Sequence, residues 1–190
     1  MRIKDDEKVT RIYEAAIKVV NRDGFQGSSM SKIACEANVS AATIYLYFEN
    51  KDDMIKKLFI HLKSKMGHSY FSDENDLSPS KGTFRAIWIN HYQYVMHNLH
   101  EYTFLENFSN CPLIGKVEKE NKADYCSTIE LLFDKSKAAG LIQNLSNDVL
   151  FGLLFSPINY LIKKTISTGD NLDTNNLVQI FEASWRSICK

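Results

Sequence analysis

"VSAATIYLYFENK", residues 39–51, decides how this chain is read. A serine able to cap a helix leads into small residues and then into Tyr45, Tyr47 and Phe48, three aromatics within four positions, before a polar turn and a lysine. Helical spacing turns Ile44 and Phe48 to one side, with Val39 ahead of them. Ala41, Ala42, Thr43, Tyr45, Leu46 and Tyr47 are left on the other side with nothing of the helix's own to cover.

Upstream, Val9, Ile12, Tyr13, Ala16, Ile17 and Val20 recur at helical spacing, and Gly24 sits where a left-handed residue would end that helix. Ser28 and Ser29 can cap a second, short helix whose inner face is Ile33, Ala34 and Ala37. Asn38 tolerates the left-handed conformation and turns the chain sharply, so that Val39 points inward and Ser40 starts a third helix. A capped helix, a tight turn, an apolar residue and a second capped helix make a helix-turn-helix, which props its second helix for the major groove of DNA.

The outward residues suit that task. Small side chains let the backbone approach base edges, alanine and threonine methyls match thymine methyls, and tyrosine hydroxyls bond phosphate or base. Lys51, opening a fourth helix, offers a charge and a backbone amide to a phosphate. On periodicity alone a second meaning stays open: tyrosines on a short helix also serve as core or interface residues, with Tyr45 packed beneath the first helix.

Downstream, helices follow one another with no alternating strand pattern of useful length. Ile55, Leu58, Phe59, Leu62 and Met66 stripe a helix over 51–70, and "SDENDLSPSKG", residues 72–82, reads as a flexible linker. Phe84, Trp88, His91, Tyr92, Val95 and Leu99 share a face, and an aromatic segment over 101–110 precedes Pro112. A long helix is expected from about Leu113 to Ala139, ended by Gly140; another starts after Ser146, kinks at Pro157 and closes at Gly169. The last carries Leu177, Ile180, Phe181, Ser184, Trp185 and Ile188. The predicted fold is all-α.

Composition narrows the function classes. The 44% hydrophobic and 24% charged residues are those of an ordinary globular chain, and net charge is zero. Residues 1–66, however, carry 12 Lys/Arg against 9 Asp/Glu, and residues 67–190 carry 11 against 14, so positive charge gathers in the part expected to meet a polyanion. The first residues lack a signal-peptide core and no apolar run reaches bilayer length, which predicts a cytoplasmic chain without a membrane partner. Cys35, Cys111, Cys126 and Cys189 lack zinc or disulfide spacing and read as free buried thiols. His97 and His100, read as three apart on one helix, have no positioned third ligand, so no metal or other cofactor is expected. No nucleophile elbow, phosphate loop or HExxH motif is present, which argues against an enzyme.

Residues 15–54, "AAIKVVNRDGFQGSSMSKIACEANVSAATIYLYFENKDDM", resemble the DNA-binding domain of the TetR family of transcriptional regulators. The shared features are a helix ending in GF, a polar pair before the second helix, IA within it, the VS turn, T-I-Y and Y-F in the third helix, and the following lysine. Asn38 and Ala42 depart from the glycines frequent there. The resemblance implies DNA contacts from Ser29, Ser31, Ala41, Ala42, Thr43, Tyr45, Tyr47 and Lys51, with residues 1–50 as the DNA-binding domain and 51–190 as a helical effector-binding and dimerisation domain.

It further implies a homodimer on an inverted-repeat operator, released by a small-molecule effector. The apolar stripe Leu177, Phe181, Trp185 and Ile188 exceeds what docking one terminal helix requires, and it is expected to pair with a second copy. Effector contacts are expected among Phe59, Leu62, Trp88, His91 and Tyr92, and among Phe104, Phe108, Tyr125 and Phe155, an aromatic set suited to a lipophilic molecule. The competing function is a helical adaptor that acts through protein contacts without DNA.

Overall fold

The computed structural model describes residues 2–71, 77–109, 124–169 and 173–190, and nine α-helices lie among them. In chain order these are α1 (Arg2–Gly27), α2 (Met30–Glu36), α3 (Ala41–Tyr45), α4 (Lys51–His68), α5 (Lys81–His97), α6 (Leu99–Ser109), α7 (Asp124–Ala138), α8 (Asn147–Thr168) and α9 (Thr174–Ile188). They gather into two compact units, one of Met1–Ser64 with Asn98–Lys122, the other of Lys65–His97 with Ala123–Lys190. The division falls inside α4, and α6 belongs to the amino-terminal unit.

In the first unit α1 is the central support. Ile12, Ala16, Val19 and Val20 are buried, as are Ile33 and Ala34 of α2, Ile44 of α3, and Met54, Ile55 and Leu58 of α4. The backbone of α1 breaks at Gly24, whose φ of 73° and ψ of 170° belong to a region that residues with a Cβ scarcely enter. Asn38 takes the left-handed φ of 53° expected of the turn, and the Val39 amide donates to the Ala34 carbonyl at 3.0 Å. Phe48, buried just beyond α3, completes the inner face begun by Ile44.

The second unit is built on α8, whose Ser146 oxygen caps its start and whose left-handed Gly169 caps its end. The helix runs on through Pro157. Among the described residues α8 alone has the length and apolarity to cross a bilayer, yet it buries Leu150, Leu154, Phe155, Ile158 and Ile162 in the protein. The Trp88 indole N–H donates to the Leu154 carbonyl at 3.1 Å, holding α5 against α8.

Three expectations need correction. Phe181, Trp185 and Ile188 do not form an outward stripe: Phe181 is 2% and Trp185 6% exposed, and Ile188 is fully buried. Phe181 meets Trp88 edge-on at 5.7 Å, and Trp185 lies 5.4 Å from Phe84, so α9 docks on aromatics supplied by its own unit; Leu177 is half-buried. Cys35 is exposed rather than buried and Cys189 is half-buried. His97 and His100 do not share a helix, because the chain breaks at Asn98 between α5 and α6. Residues 72–76 of the expected linker, Cys111, the first part of the expected 113–139 helix, and the side chains of Tyr125 and Cys126 lie outside the described residues.

Candidate nucleic-acid interface

The helices on either side of the turn, α2 and α3, each start at a side-chain cap. Ser29 Oγ accepts from the Lys32 amide at 3.2 Å and Ser40 Oγ from the Thr43 amide at 3.1 Å, each satisfying a donor that the first helical turn leaves without an acceptor. Thr43 Oγ1 lies 2.8 Å from Ser40 Oγ. These short helices therefore begin where the serines stand.

With Ile44 and Phe48 facing inward, the opposite side of α3 is open. Tyr45 is 55% exposed and Leu46 81% exposed, while Ala42, Ser29 and Ser31 are exposed and Ala41, Thr43 and Tyr47 are half-buried. Tyr45 does not pack beneath α1, so the competing placement fails. Tyr47 leans on Phe48, with ring centroids 6.4 Å apart. Leu46, placed outward from the sequence but not among the expected DNA contacts, carries no polar group, yet it is more exposed than Tyr45.

Lys51 has partners within the protein itself. Its ammonium donates to the Phe25 carbonyl at 2.8 Å and the Ser28 carbonyl at 3.1 Å, and it lies 4.2 Å from the centroid of the Phe25 ring. Around it, Asn50 Oδ1 accepts from the Asp53 amide at 2.9 Å and Asp53 Oδ2 accepts from the Glu49 amide at 3.0 Å, a reciprocal cap on α4. Burial opposes ionisation of Asp53, but hydrogen bonds from Lys57 and the Glu49 amide outweigh it and hold the carboxyl below its ordinary value. On α1, hydrogen bonds from Arg22 and then Lys32 lower Asp23 to about 2.

The residues expected to hold an effector fall into separate settings. Phe59, Leu62, Phe104 and Phe108 are buried in the first unit, the last two with centroids 4.7 Å apart. In the second unit, His91 is buried with Nδ1 2.8 Å from the Tyr70 hydroxyl and Nε2 2.7 Å from Asn159 Oδ1, and Phe155 lies against both rings. Trp88 and Tyr92 come together instead in a pocket of about 230 Å³ between α5 and α9, with Ile89, Leu177 and Phe181 as apolar walls and Arg85 among its lining residues. Among the described residues no three His, Cys, Asp or Glu side chains gather as metal ligands.

Known proteins resemble both parts of the chain. Residues 12–58 match the family described as bacterial regulatory proteins, tetR family, and residues 79–189 match the tetracyclin repressor-like C-terminal domain. An HTH-type transcriptional regulator of Haemophilus influenzae is 29% identical over the full length of both chains. The fatty acid metabolism regulator protein of Bacillus subtilis is 31% identical over 77% of this chain and 79% of its own. A crystal structure of a TetR family transcription regulator from Marinobacter aquaeolei superposes with a TM-score of 0.90 over all of both chains at 21% identity, a likeness of fold. With a capped helix-turn-helix at one end and a matching helical domain over more than half its length, the chain belongs to the TetR family of transcriptional regulators.

Proposed function

We propose that the chain is a ligand-responsive repressor that binds an inverted-repeat operator as a homodimer in the cytoplasm and is released by a small, largely apolar effector. The observation that carries it is the open side of α3, where Tyr45 and Leu46 project beyond a capped turn. In the bound form Ser29, Ser31, Ala41, Ala42, Thr43, Tyr45 and Tyr47 face the duplex, the alanine and threonine methyls meeting thymine and the phenols meeting phosphate or base edges. The main-chain amide of Lys51, at the positive end of α4, meets a phosphate.

Two heads on one face of a duplex stand about 34–36 Å apart, one helical turn. The dimer face is assigned to the outward sides of α8 and α9, where Val149, Tyr160, Ile166 and Val178 are exposed. Large apolar side chains in water on two neighbouring helices suit a self-complementary contact.

The effector reading draws on the pocket beside Trp88 and Tyr92, on the aromatic second-unit core, and on the Bacillus subtilis relative, whose name concerns fatty acid metabolism. A lipophilic molecule carrying an acid group fits apolar walls with Arg85 beside them. The helix α4 is continuous from Lys51 to His68, which gives an effector-driven change a path to the head. Operator release requires only that the effector favour one form, typically by about 1–3 kcal/mol of coupling.

The test is a gel shift with duplex from the gene's own upstream region. Retarded complex that weakens with salt at a logarithmic slope of roughly −5, for about six neutralised phosphates, supports operator binding. Dissociation of that complex by long-chain fatty acids, with quenching of Trp88 emission that a Trp88→Phe variant lacks, supports the effector class. A chain that binds no duplex while pairing with another protein would favour the adaptor.

A further inference from the structure

We propose that the Lys51 side chain is a positioning residue, a clamp within the head, and not a phosphate contact; this rests on the DNA-binding role of the head. Two of the three ammonium N–H groups are directed to the Phe25 and Ser28 carbonyls, and the cation lies against the Phe25 ring. The Phe25 carbonyl also accepts the Ser28 hydroxyl at 2.7 Å, so both of its lone pairs are used. That ring also meets Phe108 of α6, edge-on at 5.6 Å.

These contacts converge on the short stretch that follows the break at Gly24 and leads into α2. The α1 to α2 connection exposes main-chain carbonyls that the broken helix no longer pairs, and a half-buried ammonium satisfies two of them at once. Turning that ammonium toward a phosphate would leave these acceptors to water and uncover the Phe25 face. The side chain thereby sets where α2 and its turn stand relative to the first turn of α4. The phosphate is left to the main-chain amide.

A clamp and a phosphate contact differ in one measurable quantity. A lysine that neutralises a phosphate releases counterion, and removing it lowers the salt slope by about 0.9; a lysine that only positions the head changes affinity and leaves the slope alone. The experiment uses the full chain and a duplex selected by the wild type from a random pool, with anisotropy titrations between 50 and 200 mM salt. The variants are Lys51→Met, Phe25→Leu and the double substitution.

Each single variant is expected to bind about tenfold or more weakly, on a line parallel to the wild type in a plot of log affinity against log salt. The double variant is expected to lose little beyond the weaker single, because the two groups act as one unit. A slope reduced by about 0.9 in Lys51→Met, or losses that add, overturns the assignment while leaving DNA binding intact. Should Lys51→Met not fold, Phe25→Leu decides alone, since it removes no charge: undiminished affinity overturns the clamp. A wild type that binds no duplex overturns the head's role and the clamp with it.

Discussion

The α3 segment with the turn after it and helix α9 both carry aromatic residues at close spacing, yet the molecule treats them in opposite ways. On α9, Phe181 and Trp185 disappear against Phe84 and Trp88. On α3, a five-residue helix, Ile44 alone is buried within the helix, and Tyr45 stays in solvent. The difference lies in the surroundings. The final helix packs on α8 and meets the aromatic side chains of α5, whereas the inward side of α3 and the turn after it is exhausted by Ile44 and Phe48. An apolar stripe reports a wish to leave water, and the rest of the fold decides whether the same chain can grant it.

The contrast can be broken most severely at Trp185. Trp185→Ala should cost about 3–5 kcal/mol of stability, seen as a lower urea midpoint in the dissociated chain, because it empties a core site. If Trp185 served a partner instead, the loss would fall on dimer dissociation and spare the isolated chain. At the other pole, replacing Tyr45 and Leu46 together by alanine should change stability by less than about 0.5 kcal/mol. Operator affinity should fall about 10- to 100-fold, read by anisotropy. Equal losses in both assays would mean that α3 is core after all.

A third variant tests the face assigned to the second copy. Tyr160 is 67% exposed on α8, and Tyr160→Arg should raise the dimer dissociation constant about tenfold, roughly 1.4 kcal/mol, in sedimentation equilibrium. The helical circular dichroism should not change. The smallest effect belongs to Asp23, which hydrogen bonds from Arg22 and Lys32 lower to about 2. A carboxyl depressed in the folded state stabilises above its unfolded value and loses that contribution as pH falls through the folded one. Asp23→Asn should therefore melt slightly below the wild type at pH 7, with the gap closing between about pH 4 and pH 2.

Local chemistry was readable throughout. Ser29, Ser40 and Ser146 cap the helices they precede, Asn38 takes its positive φ, and Gly169 ends α8 in the left-handed conformation. Each depends on a residue and its immediate neighbours, which the chain displays directly. What stayed hidden depends on distant partners. The burial of α9 needs Phe84, about a hundred positions before Trp185, and Trp88, about ninety before Phe181, and the Lys51 clamp joins residues 23 and 26 positions away. The His91 trio likewise joins α5 to Asn159 on α8. Outward residues of α3 were legible by subtraction, once Ile44 and Phe48 had been assigned inward.

Gly24 carries a consequence for how this head tolerates change. A Cβ built there would meet nothing within 4 Å, so crowding sets no limit on the position, but φ of 73° with ψ of 170° does. A saturation screen should find an isolated intolerant codon on an accessible surface, with no large neighbour whose trimming could rescue it. Compensation would have to come from the peptide torsions themselves, which is a route that single substitutions elsewhere rarely open.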